Sequence, residues 1–542
     1  MRMKSRKTDW PVFLISGGSL LLFVIAVFLN KSYVERVINS SFAASIKYFG
    51  AFWQVLLIGT FIVAMCMAFS KYGRVKLGGL EKPEISTTKW LAIIMSTLLA
   101  GGGVFWAAAE PMYHLMTVPP IHEGITAGTK EAVMPALAQS YMHWGFLAWT
   151  ILGTISAVVM MYGHYHKGMP LKPRTLLYPI FGEKLRKSWL GTMIDVFAII
   201  AVAAGTIGPI GFLGLQASYG LQALFDIPDV FTTQLAIIIC VVAVSTISAV
   251  TGIDRGIQII SDLNVKLAIL LMVFVLLCGP GGFIIDSFVS SFGFYINEFI
   301  PMSTYRGDIG WLGSWTIFFW GWFIGYGPMM AILVSRISRG RTIREIIVAI
   351  GIIAPIITTF WFTILGGSGV FYELMNPGSI SNALSESGMP AAMIAITEQL
   401  PLSYIIGPAF LLLTVLFVVT TGDSMAYSIS MAVTGDGDPR ISLRVFWSLI
   451  MGTVAAILLY MGEGSINALQ SFIVVTAVPV SILLFPMLWL APKVAGELAL
   501  KQGIVKEEDK TSFLFQKASK SEAKRVLGRQ MYAATPWLTE RH

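Results

Sequence analysis

About twelve stretches of this chain are apolar over the roughly 20 residues that a helix needs to cross a bilayer. They lie near 12–30, 50–70, 89–117, 137–162, 190–222, 231–251, 263–284, 313–335, 345–371, 403–429, 442–462 and 467–491. Backbone inside hydrocarbon must satisfy its own N–H and C=O groups, so each stretch is expected to be a transmembrane helix. The composition agrees, with 55% hydrophobic and 13% charged residues over 542 positions; soluble chains have about 45–50% and about 25%. No remaining segment is long and polar enough for a separate soluble domain, so the expected architecture is one all-α polytopic bundle with short tails. The opening MRMKSRKTDWPVF is basic and then apolar. No short apolar core with an A-x-A-like cleavage site follows it, so the first helix is expected to stay attached.

Charge sets the orientation. Arg2, Lys4, Arg6 and Lys7 precede the first span, and alternate loops carry Lys71, Arg74, Lys76 and Lys82, then Lys167 to Lys187, then Arg255, then Arg336, Arg339, Arg341 and Arg344. The loops between them hold Asp226, Asp229, Asp286, Glu298, Glu373, Glu386 and Glu398. By the positive-inside rule both termini are expected in the cytoplasm. The net charge of +8 then belongs to the cytoplasmic face and gives no reason to expect a nucleic-acid partner. Cys66, Cys240 and Cys278 lie in apolar spans without metal-ligand spacing and read as small packing residues.

The chain divides into 1–88, with the N-terminus and two spans; 89–284, with spans three to seven; 285–312, read as an amphipathic helix in the membrane interface; 313–492, with spans eight to twelve; and a tail, 493–542. LLAGGGVFWAAAEP (98–111) opens the first group of five spans and WGWFIGYGP (320–328) opens the second. Paired broken helices at corresponding places point to a transporter with an inverted repeat and a site near the midplane. Glycines that merely allow close helix packing are the alternative, and three in a row, Gly101, Gly102 and Gly103, favour an unwound site. A channel would need a ring of like groups along a pore. An enzyme would need a nucleophile–base or metal set; neither pattern is visible.

Aromatic residues are the second signal. In YMHWGFLAWTIL (141–152), Trp144 and Trp149 would stand about 140° apart on a continuous helix. Residues 315–326 pack Trp315, Trp320 and Trp322 among Phe318, Phe319, Phe323 and Tyr326. Rings around a quaternary ammonium form a cage for onium compounds. An interfacial belt suits isolated residues such as Trp53 or Trp90, whereas the set in 315–326 is too dense for one. Glu110 and His143 are ionisable at membrane depth, where such groups are functional candidates by default; Glu110 equally suits a structural helix-end acceptor.

WTIFFWGWFIGYGP followed by SRISRGRTIRE, the MHWGFLAW stretch and TTGDSMAYSIS together resemble the betaine/choline/carnitine transporter family over about residues 10–492. The resemblance implies twelve spans in the fold of the sodium:neurotransmitter symporters, five-helix inverted repeats, a homotrimer in the bacterial inner membrane, and transport in place of catalysis. It also implies an onium site built from Trp144, Trp149, Trp320, Trp322, Phe323 and Tyr326, beside the glycine run. Betaine carriers of the family have tyrosine where this chain has Leu152 and tryptophan where it has Phe323, so dimethylsulfoniopropionate stands beside glycine betaine as a candidate substrate. Choline carriers place an aspartate at the position of Gly102, which implies a zwitterion here.

Sodium is expected as coupling ion, with no other cofactor. The resemblance places Phe417, Thr420 and Thr421 at an ion site shared with carbonyls from 97–103. Thr206 and Met329 match part of a second site, although Val202 replaces a threonine of it. Carnitine exchangers carry an arginine where this chain has Asn264, which favours cation-coupled symport over exchange. A choline or carnitine-type carrier, proton-coupled or exchanging, is the alternative. The tail lacks the dense basic block that binds anionic lipid, so osmotic sensing through it is not expected.

Overall fold

In the computed structural model the described residues are 8–99, 103–251, 254–435 and 439–506; all regular structure among them is helical apart from one bridge between Lys76 and Thr342. Gly101, Gly102 and residues 507–542 of the expected tail lie outside them.

Helices α1 (Trp10–Leu29) and α2 (Lys31–Phe69) are parted by Asn30 alone, whose side chain accepts the Tyr33 N–H at 3.0 Å and so starts the second helix. At 1.5 Å per residue, α2 is about 58 Å long, well beyond the roughly 30 Å of bilayer hydrocarbon. Residues 31–49, which the apolar pattern leaves outside any span, are therefore helical too. The expected third span is described as α3 (Thr87–Leu99) and α4 (Phe105–Met116), with Gly103 and Val104 in a turn ahead of α4.

The fourth is broken twice, into α5 (Val133–Trp144), α6 (Phe146–Ile151) and α7 (Ile155–Met161). Gly145 leaves helical geometry at ψ −138°. Gly153 adopts φ +92°, and a Cβ there would stand 3.1 Å from the Met330 backbone. The continuous-helix angle between Trp144 and Trp149 therefore does not apply, because Gly145 lies between them.

The long helices α8 (Trp189–Phe225), α9 (Phe231–Thr251) and α10 (Asp254–Cys278) follow, and α11 (Gly281–Asn297) turns 103° away from the end of α10. α11 buries Ile284, Ser287, Ser291 and Tyr295 while exposing Ile285, Val289 and Ile296. Ser287, Ser291 and Tyr295 face the protein while Ile285, Val289 and Ile296 face outward, an arrangement that suits contact with lipid. The chain then continues through α12 (Thr316–Ile337), α13 (Ala354–Met375), α14 (Ser403–Thr434), α15 (Ile441–Met461), α16 (Asn467–Leu484) and α17 (Met487–Lys501).

Among the described residues, ten helical segments are long and apolar enough to span a membrane, or eleven if the bent pair α10–α11 counts as one span. Burial separates centre from rim. The apolar windows of 130–166, 189–225 and 309–337 are 94%, 89% and 89% buried, against 33% for α1 and 22% for 231–248. The aromatic segments α5–α7 and α12 thus form the core, with α8 beside them. Trp53 and Trp90, expected as interfacial anchors, are buried as well. Trp53 fits against Gly321, where a Cβ would meet its ring at 2.6 Å. Trp90 donates to Ser338 Oγ at 2.9 Å and carries the Arg341 guanidinium 4.3 Å above its ring.

That arginine belongs to the SRISRGRTIRE run, which folds into a clamp. Gly340 turns the chain at φ +79°, where a Cβ would strike the Lys82 carbonyl at 2.2 Å. Thr342 and Glu345 then form a reciprocal capping box that starts the next helix. Arg341 donates to Thr87 Oγ1 and the Ile85 carbonyl, Arg344 to the Ala68 carbonyl, and Arg339 to Glu84. Three of the four arginines of this loop thus tie it to the end of α2 and the α2–α3 connection.

Candidate functional site

Five helices bring aromatic rings to one place at the centre of the bundle. Trp144, the last residue of α5, stands with its ring centroid 5.4 Å from Phe319, 5.9 Å from Trp322 and 5.4 Å from Phe323, all of α12, and 5.2 Å from Phe362 of α13. Phe212 of α8 reaches Trp322 at 5.9 Å, and Trp106 of α4 reaches Phe319 at 4.8 Å. The spacing of Phe319, Trp322 and Phe323, three and then one apart, places them on adjoining faces of one helix, and Gly145 stops α5 with Trp144 at its tip. Of the expected ring set, the structure joins Trp144, Trp322 and Phe323. Tyr326 lies one turn further, its hydroxyl 3.2 Å from Thr206 Oγ1.

Two expected members sit elsewhere. Trp320 points away from this cluster and donates to the Met142 carbonyl at 3.4 Å. Trp149, beyond the Gly145 break, is buried with its indole N–H unpaired and makes no ring contact with the cluster among the described residues. Phe319 and Phe362 were not singled out from sequence. Phe319 is visible there as the residue one turn before Phe323, whereas nothing local to Phe362 marks it. Gly103 lies at the break, where its carbonyl accepts the Trp361 indole N–H at 2.7 Å.

Beside the rings is a buried polar group. Glu110 of α4 accepts the Trp144 indole N–H at 2.8 Å through Oε2, and its Oε1 lies 2.5 Å from His143 Nδ1. His143 Nε2 is 2.8 Å from Gln139 Nε2 and 2.9 Å from Thr316 Oγ1. His114, one turn after Glu110, brings Nε2 to 3.5 Å of Oε1, yet neither of its nitrogens has a hydrogen-bond partner. Sequence reading missed His114, although its i+4 spacing from Glu110 was a usable signal. The three side chains offer ligand atoms within 4.8 Å of one another. Glu110 and His143 hydrogen-bond to one another, and the group forms a buried polar network.

The expected ion residues form two separate places. Thr420 Oγ1 donates to the Leu416 and Phe417 carbonyls at 2.9 and 3.0 Å, and Thr421 Oγ1 donates to the Phe417 carbonyl at 2.8 Å. Back-bonding uses the hydroxyl hydrogen and leaves oxygen lone pairs. Asn264 Nδ2 reaches Thr420 Oγ1 at 3.5 Å, while the buried Asn264 Oδ1 has no partner. Phe417 and Gly103 line one small cavity of about 20 Å³ together with Thr414 and Gln216. Thr206 back-bonds to the Val202 carbonyl on α8, beside Tyr326, and Met329 is buried on α12.

The family model for betaine/carnitine/choline transporters matches residues 11–499. The chain belongs to this transporter family. Its curated relatives in the family include glycine betaine transporter 2 of Vibrio parahaemolyticus, 54% identical over 91% of this chain and 92% of that protein. The glycine betaine transporter OpuD of Bacillus subtilis is 34% identical over 88% of this chain and 92% of its own length. An ectoine/hydroxyectoine transporter of Virgibacillus pantothenticus is 30% identical over 88% and 95%. As a family member the chain is a multi-pass membrane transporter and not an enzyme, which agrees with the resemblance carried by its aromatic and arginine motifs.

Proposed function

We propose that this transporter imports a zwitterionic onium compound, glycine betaine first among them, by sodium-coupled symport. The observation that carries the reading is the convergence of Trp144, Trp322 and Phe323, from two broken or glycine-rich helices, at the core of the bundle. Their π faces suit a trimethylammonium head, and the names of the relatives at 54% and 34% identity point to the same substrate. Dimethylsulfoniopropionate is a second candidate, favoured by Phe323 and Leu152 at positions where betaine carriers have larger or polar rings.

Sodium is supported by the oxygens gathered at α14. Thr420, Thr421 and the unpaired Asn264 Oδ1 are the hard donors that such a cation takes, with Thr206 and Met329 as part of a second, incomplete site. Tyr326, Trp320 and Trp149 complete the proposed substrate surroundings, together with Gly101, Gly102 and Gly103. The proposed architecture counts α3 with α4, α5 with α6 and α7, and α16 with α17, as one span each. That gives twelve spans, with 89–284 and 313–492 as inverted repeats and 285–312 at the interface. A homotrimer in the bacterial inner membrane with both termini in the cytoplasm completes the proposal.

Uptake of labelled glycine betaine into vesicles under an imposed sodium gradient tests it. Accumulation that collapses when the gradient is removed is expected. Full-rate transport in sodium-free buffer would reject the coupling, and competition by choline stronger than by glycine betaine would reject the zwitterion.

A further inference from the structure

The geometry points to Glu110 as the residue that sets the charge preference of the ring cluster, acting through the indole N–H of Trp144. This rests on reading Trp144 as part of the onium site.

Glu110 is fully buried, and no lysine or arginine among the described residues pairs with it. Its neighbours are neutral donors. The Gln139 amide N–H and the Thr316 hydroxyl both approach His143 Nε2, so that nitrogen accepts and the ring proton sits on Nδ1, aimed at Glu110 Oε1. His114 has no acceptor at either nitrogen that would hold a second proton. Each Glu110 oxygen thus faces an N–H donor, the pattern of an ionised carboxylate, and such a charge without a paired cation is stabilised further by any cation that comes close.

The Trp144 ring stands between that carboxylate and the other rings. Its N–H is given to Oε2 at 2.8 Å, which fixes the indole plane nearly perpendicular to Trp322 and Phe323 at 79° and 86°. A hydrogen bond to a charged acceptor polarises the donor. Electron density moves into the indole and makes its face more attractive to a cation. The same charge repels a carboxylate, so a zwitterion is oriented with its onium end toward Trp144. Glu110 is thus a positioning residue that acts without touching the substrate.

Calorimetric binding to the purified full-length protein tests this with two ligands of one shape. They are glycine betaine and 3,3-dimethylbutanoate, in which carbon replaces the charged nitrogen. Glu110→Gln keeps the side-chain shape and an acceptor for the indole. It is expected to weaken glycine betaine about tenfold, about 1.4 kcal/mol, and to leave the carbon isostere unchanged or tighter, while Glu110→Asp restores part of the ratio. A merely structural role would weaken both ligands together, and an unchanged ratio overturns the inference. Trp144→Phe keeps a ring but removes the N–H. It should lower the ratio in the same direction and reduce the further effect of Glu110→Gln. Should Glu110→Gln fail to reach the membrane, Trp144→Phe alone decides: a full wild-type ratio overturns the inference. If the wild-type protein shows no preference between the two ligands, or Trp144→Leu leaves that preference intact, the onium reading of the cluster itself fails.

Discussion

The indole N–H of Trp322 donates to the backbone carbonyl of Gly205 at 3.0 Å. That carbonyl has no helical partner, because the residue four positions on in α8 is Pro209, which has no N–H. A ring of the candidate site thus repairs a helix bond that a proline removes, and α12 is locked to α8 at the level of the cluster.

Gly205 makes the contact possible. A Cβ there would lie 2.5 Å from Tyr326 Cε2 and 3.3 Å from Trp322 Cδ1. Overpacking of this kind costs about 1–3 kcal/mol. Gly205→Ala is therefore expected to displace both rings and to raise the half-saturating glycine betaine concentration about tenfold or more. Normal membrane levels with unaltered uptake kinetics would show that these rings lie away from the substrate.

Trp144 and Trp149 are expected to differ. Leucine keeps apolar bulk and removes the π face, whose cation contact is worth roughly 0.5–2 kcal/mol. Trp144→Leu should weaken glycine betaine by several-fold up to about 30-fold. Trp149→Leu should cost less, because its ring lies outside the cluster. Concentration dependence of uptake in both variants measures the order, and a larger loss at Trp149 would move the site toward α6.

For the ion, Thr420→Ala combined with Thr421→Ala removes two hydroxyl oxygens, the first of them within reach of the Asn264 amide. The half-saturating sodium concentration should rise sharply, with a smaller change in substrate affinity at saturating sodium. Initial rates over a sodium titration provide the readout, and a superimposable curve would place the ion elsewhere.

At the start of α1, Asp9 joins Lys172 at 2.8 Å and Arg174 at 2.9 Å. Burial pushes its carboxyl upward, but the two cations and the hydrogen bonds it accepts outweigh that and hold it below the ordinary value of 3.8. A depressed carboxylate stabilises the fold above its unfolded value, and the benefit is lost as pH falls through the folded value. Asp9→Asn should thus lower the melting temperature of the detergent-purified protein at pH 7. The gap from wild type should narrow as the pH is taken below about 4. A gap independent of pH would assign the effect to shape and not to charge.

What the sequence determined by itself are the properties that depend on short stretches of chain. A run of some 20 apolar residues must span or be buried whatever its neighbours do, so the membrane class and most spans were legible. Gly103, the last of three adjacent glycines, stands in the turn ahead of α4 because glycine weakens a helix locally. The family motifs were legible because side-chain identity at fixed spacing survives without coordinates, and the Glu110–His114 spacing stood in the chain ready to be read. Tertiary structure decided which way each helix is turned. Gly145 and Gly153 break the fourth span where the Tyr295 hydroxyl and the Met330 backbone pack against it, and a lone glycine in isolation reads equally as a packing device. Trp53 and Trp90 are buried, Trp149 misses the cluster, and Phe362 joins it, for one reason. Rotation about a helix axis inside a bundle is set by the neighbouring helices, and no local pattern of apolar residues encodes it when nearly every face is apolar.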